Sequence, residues 1–101
     1  MDTFYLVECF WPGATREVIK AASERARESA VARCREGITV AFVGSMLMPA
    51  DEVVFFQFTA TSEDDVTRTA RAAHLPFDRV SASLWLEPEG ETSCDRLGKI
   101  N

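Results

Sequence analysis

Three segments of this chain, FYLVECFW (residues 4–11), GITVAFVGSMLM (37–48) and VVFFQFTA (53–60), are apolar on both faces that a strand presents. Successive side chains of a strand point to opposite sides, so Phe4, Leu6, Glu8 and Phe10 share one side and Tyr5, Val7, Cys9 and Trp11 the other. In the third segment Val53, Phe55, Gln57 and Thr59 oppose Val54, Phe56, Phe58 and Ala60. Unbroken alternation in the second puts Met46 and Met48 on the side of Phe42, with Ser45 opposite. A sheet with one wet face alternates apolar and polar residues, and these strands do not. Both faces of the sheet therefore need cover.

The remaining elements supply cover for one face. The first strand, residues 3–11, ends at Pro12-Gly13, and Thr15 caps a helix that runs to about Arg35 and closes at Gly37. Val18, Ala22, Ala26, Ala30 and Cys34 recur at every fourth position, a stripe of mostly small residues that lets the helix lie close on a sheet. Strand 37–48, the turn MPADE and strand 53–60 form a hairpin. Ser62, with Asp65 three residues on, opens a second helix bearing Val66, Thr69, Ala70 and Ala73 on one face; His74-Leu75-Pro76 ends it. RVSASLWLEP (79–88) reads as the fourth strand. The order is βαββαβ, the α+β ferredoxin-like arrangement: a four-stranded antiparallel sheet with two helices on one face. Residues 1–88 form this domain, and 89–101 read as a polar, mobile tail. The face without helices predicts a homodimer in which two sheets meet, a dimeric α+β barrel.

Charge and cysteine usage narrow the partners. A net charge of −5 argues against nucleic acid, whose phosphates select basic surfaces. More than half of the basic residues lie between Arg16 and Arg35, interleaved with acids, which is the pattern of a solvated helix face. No stretch approaches the roughly 20 apolar residues of a membrane span, and the first residues lack a basic leader. Three widely spaced cysteines form no metal ribbon or CxxC pair, so free thiols in a reducing, cytoplasmic setting are expected. No phosphate loop, dinucleotide fingerprint or nucleophile elbow is present.

Taken together, Tyr5-Leu6-Val7-Glu8, Pro12-Gly13, the alanine-rich helix, the hairpin, Ala60-Thr61-Ser62 and the HLPFDRV segment (74–80) resemble a family of small bacterial ferredoxin-like proteins that includes a nickel-binding member. The resemblance spans residues 4–88 and implies a dimeric α+β barrel able to hold a small ligand or a divalent metal such as nickel. Glu8 matches the family's glutamate, and Leu75, Pro76, Asp78, Arg79 and Val80 match its leu-pro-x-asp-arg-ile segment. Cys9 stands in place of arginine, His74 in place of glycine, Thr59 in place of an acid, and Met46 in place of a hydroxylated aromatic. These departures thin the polar groups and leave a more apolar cavity.

The candidate site follows from one misfit. Glu8 puts a carboxylate into an otherwise apolar strand, where an unpaired charge costs several kcal/mol to bury. Either it pairs with an arginine such as Arg79, or it stands at a pocket as a general acid/base or polar anchor. Gln57 is its natural companion, because first and third strands are neighbours in this fold. Glu8, Phe42, Met46, Phe55 and Gln57 are the expected ligand-binding set, with Phe and Met forming an adaptable apolar wall. A metal would draw on Glu8 and His74, although a helix C-terminus is also an ordinary place for a histidine. Two functions follow: a dimeric protein that binds a hydrophobic small molecule or a divalent metal in the sheet cavity, or a cofactor-independent isomerase or cyclase using Glu8. Asp78 and Arg79 read as an ion pair fixing the turn before the last strand.

Overall fold

The computed structural model describes residues 2–94. Its elements are β1 (Thr3–Phe10), α1 (Arg16–Arg35), β2 (Val40–Met48), β3 (Val53–Ala60), α2 (Glu63–Ala72) and β4 (Arg79–Ser83). The strands form one antiparallel sheet in the order β2-β3-β1-β4, the expected βαββαβ fold. Among the described residues no helix is long and apolar enough to cross a membrane.

One face of the sheet packs on both helices. Tyr5, Val7 and Cys9 of β1 and Val54, Phe56, Phe58 and Ala60 of β3 are buried there, against Ile19, Ala22, Ala26 and Ala30 of α1 and Val66 and Ala70 of α2. The expected stripe on α1 holds in its middle and fails at its ends. Val18 is 40% exposed and Cys34 is exposed, while Ile19 is buried. A strict four-residue spacing drifts about 40° per step around a helix of 3.6 residues per turn, so the ends of such a stripe swing roughly 80° off the face centred on Ala26. Ile19, seven residues before Ala26, falls within about 20° of it. The helices are tied by Ser29 Oγ, which donates to the Thr69 carbonyl (2.9 Å), and by Arg25 Nε, which donates to the Ala73 carbonyl (2.9 Å).

Both helix starts are as expected. Thr15 Oγ1 accepts the Val18 N–H and Ser62 Oγ accepts the Asp65 N–H. Both helix ends close by the same Schellman arrangement. At α1 the Gly37 N–H reaches the Cys34 carbonyl (3.0 Å) and the Ile38 N–H the Arg33 carbonyl (3.1 Å). At α2 the His74 N–H reaches Arg71 (3.0 Å) and the Leu75 N–H reaches Ala70 (3.1 Å). This motif needs a left-handed residue; Gly37 has φ 88° and His74 has φ 58°. A side chain in that region carries a steric penalty that glycine avoids, so His74→Gly is expected to stabilise the fold by roughly 0.5–1 kcal/mol in urea unfolding. A loss of stability would mean that the imidazole at this helix end contributes more than its backbone strain costs.

The strand β4 is shorter than expected. Its register on β1 pairs Phe4 with Ser83, and β1 begins at Thr3, so a single β1 residue remains beyond the last pair. Leu84, Trp85 and Leu86 lie beyond it as exposed residues without regular structure, as do 87–94. Of the expected tail, residues 95–101 lie outside the described residues.

Candidate functional site

The second face of the sheet has no helix over it. It carries Phe4, Leu6, Glu8 and Phe10 from β1 and Val53, Phe55, Gln57 and Thr59 from β3. The contribution of β2 differs from simple alternation. A β-bulge at Val43 adds one residue between Phe42, opposite Phe58, and Gly44, opposite Gln57. One extra residue reverses every following side chain. Phe42 therefore sits on the helix side, its ring 5.3 Å from Phe58 and 6.4 Å from Phe56, centroid to centroid. Gly44, Met46 and Met48 turn to the open face, beside Gln57, Phe55 and Val53. The structure thus separates Phe42 from Met46 and Met48 and removes it from the expected binding set. Gly44 inside a strand is the sequence signal for such a bulge.

A concavity of about 410 Å³ lies on this open face. Leu6, Phe55 and Gln57 make its floor. Gly44 to Met46 of β2 form one wall, and Ser83, Leu84 and Trp85, at and after the end of β4, form the other. The hollow follows from side-chain size. The cross-strand row Gly44–Gln57–Leu6–Ser81 has no side chain at one end and a serine at the other, whereas the next row begins with Met46 and Phe55. A Cβ added at Gly44 would meet nothing within 4 Å, so that position is open space. Met46, Phe55 and Gln57 are brought together as the sequence suggests. Leu6, Gly44, Ser45 and Ser83 through Trp85 were not foreseen as lining, the last three because LWL reads as more strand.

Glu8 is on the same face, opposite Phe55 and diagonal to Gln57, but does not line the hollow. Its carboxylate accepts a hydrogen bond from Arg79 Nε at 2.5 Å, directly across β1 and β4. The Glu8 side chain is 28% exposed and that of Arg79 70% exposed. Asp78 does not pair with Arg79 to fix the turn, as its neighbour's charge suggests. Its backbone N–H donates to the Glu8 carbonyl (2.7 Å) and its carboxylate accepts the Phe10 N–H (2.6 Å), extending the β1–β4 ladder through a side chain.

Among the described residues no group of three or more His, Cys, Asp or Glu could hold a metal ion. His74 sits exposed beyond α2, and Glu8 is committed to Arg79, so the two do not form a shared donor set. Among the described residues of one chain the donors do not fit nickel or another divalent metal. Cys9 is fully buried, and burial, with Asp78 and Glu8 adding to it, pushes its thiol up to about 12. A thiol so protonated is neither a ready nucleophile nor a ready ligand. The folded chain keeps the Cys9 proton above pH 9.0, where an unfolded thiol releases it. Stability is therefore full below about pH 9 and falls as pH rises toward 12. Chemical denaturation across that window should show the fall, and Cys9→Ala should flatten it.

No family model matches the chain, and no curated protein matches it. Among solved structures, the crystal structure of SCO4226 from Streptomyces coelicolor A3(2) is similar, with a TM-score of 0.65 over 83% of this chain and 99% of that one. At 14% identity the likeness is one of fold. The extracellular region of zebrafish Gpr126/Adgrg6 matches 82% of this chain with 13% of its own, at 15% identity and a TM-score of 0.36, too distant to inform the fold.

Proposed function

We propose that this protein binds an apolar small molecule on the open face of its sheet, as a homodimer whose two sheets face each other. The observation that carries the reading is the hollow over Leu6, Phe55 and Gln57, whose volume of about 410 Å³ falls within the usual range for small-molecule sites. The face around it supports the dimer. Phe10, Met46 and Met48 stand exposed on it in the single chain, where a monomer ordinarily keeps such residues apart. Four strands about 4.8 Å apart and five to nine residues long give roughly 480 Å² per copy before side-chain relief is counted. Two copies then reach the roughly 1,000 Å² that a specific interface requires.

Binding without catalysis is the better reading of Glu8. A carboxylate held by Arg79 and absent from the lining has a structural partner and no substrate to act on. Metal binding finds no donor set among the described residues to support it.

The test uses the uncharged fluorescent probe N-phenyl-1-naphthylamine. Wild type is expected to enhance its emission saturably. Gly44→Leu fills the hollow from a position with free space above it, so this variant should keep its circular dichroism spectrum and lose the enhancement at least tenfold in affinity. Glu8→Gln should bind as wild type does. Equal binding by Gly44→Leu and wild type would place the probe elsewhere and end the reading; loss in Glu8→Gln would return the carboxylate to the site.

A further inference from the structure

We infer that the ligand of this hollow is a flat, uncharged ring system carrying a single hydrogen-bonding edge, read by the Gln57 amide and covered by the Trp85 indole. This rests on the binding reading above and goes further by stating the chemistry of the ligand.

Each attribute comes from a different observation. Flatness comes from the floor and wall. The bulge at Val43 brings Gly44 onto the open face beside Gln57, so a ligand can lie against bare backbone there, with the Phe55 ring in the adjoining row. A planar molecule can lie flat on such a floor, because aromatic faces stack and a glycine lets a ligand come close to the backbone.

The polar edge comes from Gln57. It is partly buried in the middle of the sheet, between β2 and β1, and its amide makes no hydrogen bond to another described residue. A primary amide offers a carbonyl acceptor and an N–H donor side by side. A ligand that covers it with hydrocarbon removes water from both groups and returns nothing, at a cost of about 1–3 kcal/mol for each group left unsatisfied. A ligand with an adjacent donor and acceptor, such as a carboxamide or lactam, satisfies both. The other hydroxyls nearby do not compete for that role. Ser45 accepts a hydrogen bond from Ser23 (2.9 Å), and Ser83 stands on the opposite wall.

Neutrality comes from the charge inventory. No lining residue is charged, and the two charges of the open face, Glu8 and Arg79, answer each other at 2.5 Å. An anionic or cationic ligand would lose water without gaining a counter-charge. The cover comes from the chain after β4. Trp85 lines the hollow and is 64% exposed in the single chain, so no contact within the chain claims most of its large aromatic surface.

Three probes of one ring system separate these attributes: naphthalene, 2-naphthamide and 2-naphthoate. They are titrated into the full-length, isotope-labelled protein while the side-chain amide of Gln57 and the indole N–H of Trp85 are followed by NMR. The expected order places 2-naphthamide at least tenfold tighter than either other probe, with both resonances shifted. Gln57→Met, an apolar change of similar length on a partly buried face, should bring 2-naphthamide down to the affinity of naphthalene, and Trp85→Ala should weaken both neutral probes together. Naphthalene and 2-naphthamide binding equally to wild type would overturn the polar edge while leaving the apolar site standing. Tightest binding by 2-naphthoate would overturn neutrality. Unchanged binding in Trp85→Ala would overturn the cover. No shift at Gln57 or Trp85 with any probe would overturn this inference together with the binding reading.

Discussion

Phe56→Ala is expected to cost about 3–5 kcal/mol, the usual loss for truncating a fully buried phenylalanine and comparable with the whole stability of a small domain. Phe56 is wholly inaccessible, as is Phe58, and the Phe42 ring lies against both. Removing the ring opens a cavity between the sheet and the helices that the alanine-rich face of α1 is too small to refill. The adjacent substitution, Phe55→Ala, should cost less than half as much, because Phe55 points to the open face. The two variants, compared by urea unfolding at a low protein concentration, test the facing of β3. Equal losses would show that both faces of this strand are packed within a single chain. A loss at Phe55 that grows with protein concentration would instead be the signature of a second copy on the open face.

Phe10→Glu combined with Met46→Glu is expected to halve the mass seen in sedimentation, from twice the 11.2 kDa chain mass to the chain mass itself. Both residues are more than half exposed in the single chain, 58% and 55%, so the substitutions should cost the protomer little. Between two sheets the same positions would bury four unpaired carboxylates per pair. Each costs several kcal/mol without a counter-charge, which amounts to at least about a thousandfold in association. A wild type that sediments at the mass of one chain would remove the dimer from the proposal. A variant that stays associated would mean that the copies meet by another surface.

Much of the fold was legible because its signals are local. Thr15 and Ser62 cap the helices, Gly37 closes the first, and β3 has the bounds that its sequence suggests. The uncovered face was legible too, since the apolar character of both sides of each strand is a property of the strands alone. The places where expectation failed depend on what a segment meets. The end of β4 is set by the start of β1, which no residue in 79–88 reveals. Val18 gave way to Ile19 because helix geometry outweighs a tidy interval. Glu8 was recognised as the odd residue of its strand, and its pairing with Arg79 was one of two readings; the register, not the sequence, decided between them. A third of the lining of the hollow was visible. Gln57 and Phe55 follow from alternation in β3, while Gly44 and Met46 share one side of β2 beyond the bulge and Trp85 follows from an early strand end.

The bulge at Val43 also divides the mutational character of a single strand. Up to Phe42, the even-numbered residues of β2 belong to the core, and changes there should be read out as stability. From Gly44 onward the even-numbered residues belong to the open face, and changes there should be read out as binding or association. The same nine residues thus hold two independent sets of constraints, joined at a position whose own side chain is half exposed. Deleting Val43 would leave both sets in place, because Phe42 opposite Phe58 and Gly44 opposite Gln57 would then follow one another in an unbroken ladder. The residue that divides the strand is thus the one residue it could lose without exchanging inside for outside.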